Sequence, residues 1–166
     1  MVGAALLLAG LAGCGRSAED LASTELQSRL DAVHDAFLDG RAQRPSLTGV
    51  AAQRSLDQHG RSVETSSHDD SITFVRTVEA QASTGGGLSY EQVHVGACLL
   101  VTVAYGSGDE DRGRVTTEPV TCPAGTDLPG DRTVDLDSRS DDVGDRVPAP
   151  DRSVCHSGGL CTEGGG

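Results

Sequence analysis

The chain has 5 cysteines, 5 histidines and 25 carboxylates, and few of them are spaced for chemistry. Cys155, His156 and Cys161 offer zinc-ligand types. Their order lacks the CxxC pair of a zinc finger and the spacing of a haem attachment motif, so no metal is expected. Ser107, Asp109, Asp111 and Glu118 fall on the first, third, fifth and twelfth positions of a calcium loop. The sixth position, which needs glycine for its sharp turn, is Arg112, and the flanks read as strands rather than helices, so a solvated turn is expected. His68-Asp69-Asp70 has no spaced partner and reads as a polar loop. There is no G-x-S-x-G elbow, phosphate loop or dinucleotide fingerprint. No catalytic residue and no cofactor are expected. His34 reads as a partly exposed structural histidine beside an apolar helix stripe, and His94 as an exposed cross-strand partner. Arg76 stands out, because it falls in an inward-facing strand row between Phe74 and Val78. Such an arginine either snorkels at an edge or lines a cavity beneath the sheet as a binding residue.

The elements that position these residues follow from period. Ser17-Ala18-Glu19-Asp20 is a helix start, with a capping serine and acids at the positive end of the helix dipole. Ala22, Leu26, Leu30, Val33 and Phe37 form one stripe, which predicts a helix over 19–39 with Gly40 as its stop. After Pro45, the residues Leu47, Val50, Ala51 and Leu56 predict a shorter helix over 46–58. From Ser71 the period changes to two. Ile72, Phe74, Val78 and Ala80 alternate with polar residues, and a second strand over Glu91 to Tyr105 carries the row Val93, Val95, Ala97, Leu99, Val101, Val103 and Tyr105 on one face, with a third strand over 115–122. A turn centred between Gly85 and Gly86 sets Phe74 opposite Ala97, Ile72 opposite Leu99 and Val78 opposite Val93. Both apolar sets then share one face, as a common core requires. Residues 62–66 could supply a further edge strand.

At the other end of the chain an apolar run from Val2 to Leu11, ten residues long, closes on Leu11-Ala12-Gly13-Cys14. The run is half of what a membrane span needs, about 20 residues. Short apolar run, small residues, then cysteine: this resembles a bacterial lipobox, in which the Cys14 thiol receives a diacylglyceryl group and the signal is cut before it. Two acyl chains suffice for a stable anchor. Met1 to Ala4 carries no basic residue, which points to a start upstream. The resemblance implies a protein at the cell membrane, lipid-anchored on its extracytoplasmic face.

With Cys14 lipidated, Cys98, Cys122, Cys155 and Cys161 remain, an even set that reads as disulfides in an exported chain. Four cysteines allow three connectivities. Cys98–Cys122 with Cys155–Cys161 is preferred, because a second turn centred on Glu110 sets Cys98 opposite Cys122 on the side away from the core. The stretch Gly85-Gly86-Gly87-Leu88-Ser89-Tyr90, Cys98 in its apolar strand, and Val120-Thr121-Cys122-Pro123 resemble the hairpin of small actinomycete lipoproteins and secreted proteins over about Leu47 to Pro123. That family has no assigned activity, so no site residues carry over.

Composition bounds the rest. Lys, Asn and Trp are absent, and the net charge is −12. Nucleic-acid binding needs a cationic face and is excluded on that ground. Aromatics make up 2%, too few for base- or sugar-stacking platforms. The expected organisation is a signal peptide at 1–13, a lipidated tether at 14–18, a small α+β domain at 19–122 and a disordered Pro/Gly/Asp-rich acidic tail at 123–166. The expected fold is one or two N-terminal helices packed on a three- to four-stranded antiparallel meander. The function expected is a non-catalytic binding or interaction module, its partners the membrane through Cys14 and an envelope protein. The alternative is a small extracytoplasmic enzyme or ligand carrier with a pocket between helix and sheet.

Overall fold

The computed structural model describes residues 16–57, 62–86, 89–107, 111–128 and 135–145. The lipobox with Cys14, and the pair Cys155 and Cys161, lie outside them. Helix α1 spans Ala18–Gln43 and helix α2 Gly49–Leu56. Five strands follow: β1 Ser62–Ser67, β2 Ser71–Gly86, β3 Ser89–Tyr105, β4 Gly113–Val120 and β5 Arg139–Asp142, with a short 3-10 turn at Val143–Asp145. They form one antiparallel sheet in the order β1-β2-β3-β4-β5, a pure meander with the helices packed on it. This is the expected α+β class, with five strands where three to four were expected.

The start of α1 is built by a capping box. Asp20 N–H donates to Ser17 Oγ at 3.0 Å, and Ser17 N–H donates back to Asp20 Oδ2 at 3.2 Å. The buried row Ala18, Ala22, Leu26, Leu30, His34, Leu38 and Ala42 recurs every four residues, so one ridge of α1 lies along the sheet. Gly40 does not stop the helix, which runs three residues further. A Cβ on Gly40 would stand 3.0 Å from Leu56 Cδ2, so glycine lets α2 cross closely at that point.

The long hairpin β2–β3 has Phe74 opposite Val101, Ile72 opposite Val103 and Val78 opposite Ala97. The pairing is shifted by four residues from the expected one, because the strands stay paired as far as Gly86 and Ser89. An even shift keeps every side chain on its face, so the shared apolar face survives. Phe74 and Phe37 meet with ring centroids 4.9 Å apart. In the next hairpin Cys98 lies opposite Val120 rather than Cys122. The Cys98–Cys122 disulfide still forms, with Cα atoms 5.2 Å apart, because Cys122 lies two residues beyond Val120, where β4 ends.

Strand β5 corrects the expectation of a structureless tail after residue 122. Arg139–Asp142 pairs with β4, and Val143 beyond it is fully buried in the cluster around Phe37 and Phe74. A second apolar cluster gathers Leu26, Leu30, Val78, Val95 and Leu99, and Val33 touches both.

Candidate functional site

Arg76 stands between the two clusters. Its neighbours in the inward row are Phe74, fully buried, and Val78, nearly so, and its guanidinium carbon lies 5.5 Å from the centre of the Phe37 ring. Strand β1 pairs with β2 only as far as Arg76, whose partner is Ser62. Beyond that point β2 has no partner on this side among the described residues. On the helix side Ala32 and Ala36 are too small to fill the space. The result is a groove of about 830 Å³ between α1 and β2, floored by Val33 and Val78, with Arg29 and Arg76 as its cations and Glu79 as its acid. A shallower depression of about 470 Å³ shares Arg29 and Glu79 and continues towards His94. Arg76 is half-buried, stands at the last described pair of β1 with β2, and lines this groove.

The residues that look most like catalytic machinery were not singled out together in the sequence. His34 Nε2 lies 2.9 Å from Asp141 Oδ2, and His34 Nδ1 lies 3.0 Å from Thr117 Oγ1. The carboxylate only accepts, so Nε2 carries the proton and Nδ1 accepts from the threonine hydroxyl. This is the order hydroxyl–imidazole–carboxylate of a nucleophilic triad. Yet His34 and Thr117 are both 0% exposed, so no substrate reaches the hydroxyl. The expectation of a partly exposed His34 is thus corrected: the residue sits in the four-residue ridge of α1, facing β4. That spacing, with Leu30 four residues before and Leu38 four after, was the signal available in the sequence.

The trio serves to hold down the segment 135–145. Arg139 Nη2 donates to Asp141 Oδ2 at 2.8 Å, and its Nη1 lies 3.8 and 3.7 Å from Asp31 and Asp35 of α1. Gln27 clasps the backbone of Asp137 at both its N–H and its carbonyl, at 2.8 and 3.2 Å. Burial, and then the positive charge of Arg139, hold the His34 imidazole below its ordinary value of 6.5, against the pull of Asp141. The Asp141 carboxyl is held below the usual carboxylate range, first by its hydrogen bond from Arg139, with His34 adding to it.

Of the calcium-loop positions that are described, Ser107 and Asp111 meet and Glu118 lies on β4. Asp111 accepts from Ser107 N–H and Oγ–H and from Gly113 N–H, at 3.1, 3.0 and 2.9 Å, which lowers its carboxyl and makes it the clasp of the β3–β4 hairpin. Glu118 lies along β4 opposite Leu100, and Asp109 falls outside the described residues. Among the described residues no group of three or more His, Cys, Asp or Glu is gathered for a metal ion. His68 and Asp70 lie in the tight connection into β2, where His68 N–H donates to Ser71 O at 2.8 Å. His94 is exposed and pairs with Gln81. Among the described residues no helix is long and apolar enough to cross a membrane. Comparison with family models, curated proteins and solved structures finds no match to the chain.

Proposed function

We propose that the chain is a lipid-anchored extracytoplasmic binding module, held at the membrane through Cys14, that takes an envelope protein partner in the groove between α1 and β2. The observation that carries this reading is the placement of Arg76 in a groove of about 830 Å³ at the break between two apolar clusters. An apolar floor with a few convergent charged groups is the ordinary make-up of a recognition site. The burial of Thr117 and His34 supports a non-catalytic role. The groove's volume also favours a second reading, a carrier for a small ligand, since it lies within the range of small-molecule sites, about 300–1,000 Å³.

Two experiments test the proposal. Metabolic labelling with a palmitate analogue should mark the protein expressed with a working upstream start, and Cys14→Ala should abolish the label. An unlabelled wild type would remove the anchor. Photo-crosslinking from Ala36 in envelope preparations should trap a protein that Arg76→Glu releases. Crosslinking unchanged by Arg76→Glu would remove the groove from the function.

A further inference from the structure

Another arginine, Arg41, is buried near the C-terminal end of α1. Arg41 is 3% exposed. Its Nη1 donates to the carbonyls of Leu47 and Arg44, at 2.6 and 3.4 Å. Its Nε–H is buried and meets no acceptor among the described residues. The guanidinium carbon lies 5.1 Å from the centre of the Tyr105 ring. Among the described residues no carboxylate pairs with it. A charge taken out of water without a counter-ion is costly, and proteins seldom keep one unless something completes it.

Around Arg41 lies a cleft of about 520 Å³, between the α1–α2 connection and the β3–β4 hairpin. Donor-bearing residues line it. Tyr105 Oη accepts from Gly49 N–H at 2.8 Å, which leaves its own proton to be donated. Thr48 lines the cleft and is the N-cap of α2, but its hydroxyl makes no capping bond. Arg112 lines the cleft from the hairpin. The acid there, Asp111, has its oxygens engaged by Ser107 and Gly113. Among the described residues the cleft is lined by two cations, Arg41 and Arg112, and one carboxylate, Asp111, in a chain of net charge −12.

We propose that this cleft is a binding site for a small oxyanion, a phosphate or carboxylate group, held by Arg41, Tyr105, Thr48 and Arg112. Planar guanidinium donors suit both groups, and the anion supplies the counter-charge that Arg41 lacks. This site is separate from the Arg76 groove and does not depend on it.

The test is thermal unfolding of the full chain followed by circular dichroism in phosphate, acetate or chloride, at matched pH and ionic strength. At about 20 mM, a ligand of about 1 mM affinity raises Tm by about 5 °C over chloride, and above that affinity the rise grows with the logarithm of its concentration. A rise in phosphate alone identifies a phosphoryl group as the ligand chemistry, and a rise in acetate as well identifies carboxylates. Arg112→Gln and Tyr105→Phe should each cut the rise by at least half, while Arg76→Gln keeps it whole. Arg41→Gln should abolish it, and if that variant fails to fold, the other two decide. Amide shifts on phosphate addition should centre on Thr48, Gly49 and Tyr105. No rise over chloride, a rise undiminished in Arg112→Gln and Tyr105→Phe, or shifts centred elsewhere would each overturn the proposal.

Discussion

Replacing His34 with leucine should destabilise the protein by about 2 kcal/mol at pH 7.5, and by less as the pH falls. The leucine fills a similar volume but makes neither hydrogen bond. Thr117 Oγ1, fully buried, then loses the partner that His34 gave it at 3.0 Å. A buried polar group stripped of its partner costs about 1–3 kcal/mol. Asp141 suffers less, since its side chain is 43% exposed and keeps Arg139 at 2.8 Å. The double variant His34→Leu/Thr117→Val should recover most of the loss, because both partners become apolar together. The pH dependence follows from the lowered His34 value. Below pH 6.5 the unfolded chain takes up a proton at this residue that the folded protein refuses. Wild-type stability is thus full above 6.5 and falls by up to about 1.4 kcal/mol per pH unit, until the folded value is reached. His34→Leu lacks this slope, so the gap between the two proteins narrows from pH 7.5 to 5.5. Urea unfolding followed by circular dichroism at pH 7.5, 6.5 and 5.5 measures it. A gap that stays constant or widens as the pH falls, or a double variant as unstable as the single, would refute the reasoning.

The Cys98–Cys122 bridge spans 24 residues, so Cys98→Ser/Cys122→Ser should lose about 3 kcal/mol in oxidising conditions, read from the same unfolding curves. Cys155→Ser/Cys161→Ser should leave the melting temperature nearly unchanged, and an equal loss would show that the second pair is tied to the core. Gly113 has φ +93° and a Cβ there would stand 2.1 Å from Ala104 O, so Gly113→Ala should cost more than about 1 kcal/mol and raise amide exchange across the β3–β4 hairpin. Val143→Ala, at a fully buried position, should cost about 2 kcal/mol and speed amide exchange first in 135–145, whereas exchange that rises equally throughout the sheet would show that this segment has no separate opening.

The helices and the central hairpins were legible because their signals are local. Ser17 and Asp20 are three residues apart and cap α1 as read. The even and odd rows of β2 and β3 reach the faces expected, although the register moved by four residues, because face depends on parity alone. The disulfide was readable for the same reason, although Cys98 and Cys122 are not directly opposite. Strand β5 was not legible. Arg-Ser-Asp-Asp has no apolar alternation, and its place is held by Gln27, His34 and Arg139 contacts to α1 and by the paired bonds of Arg114 to Asp142, at 2.8 and 3.1 Å. Gly40 misled because a glycine near a helix end fits both a stop and a close crossing, and only the position of Leu56 separates them.

The sequence by itself determined the two helices and the strands β2 to β4, which of their side chains share a face and that Arg76 lies in an inward row. These depend on the order of residues a few positions apart, which sets the period of each element. Tertiary structure decided what those faces meet. His34 reaches Thr117 and Asp141 across 83 and 107 positions. Arg76 lines a groove with α1 residues some 40 to 47 positions before it, and Arg41 is buried beneath Tyr105, 64 positions on in number. No periodicity in one segment encodes where a distant segment will stop, and both clefts and the buried trio are set by that distance.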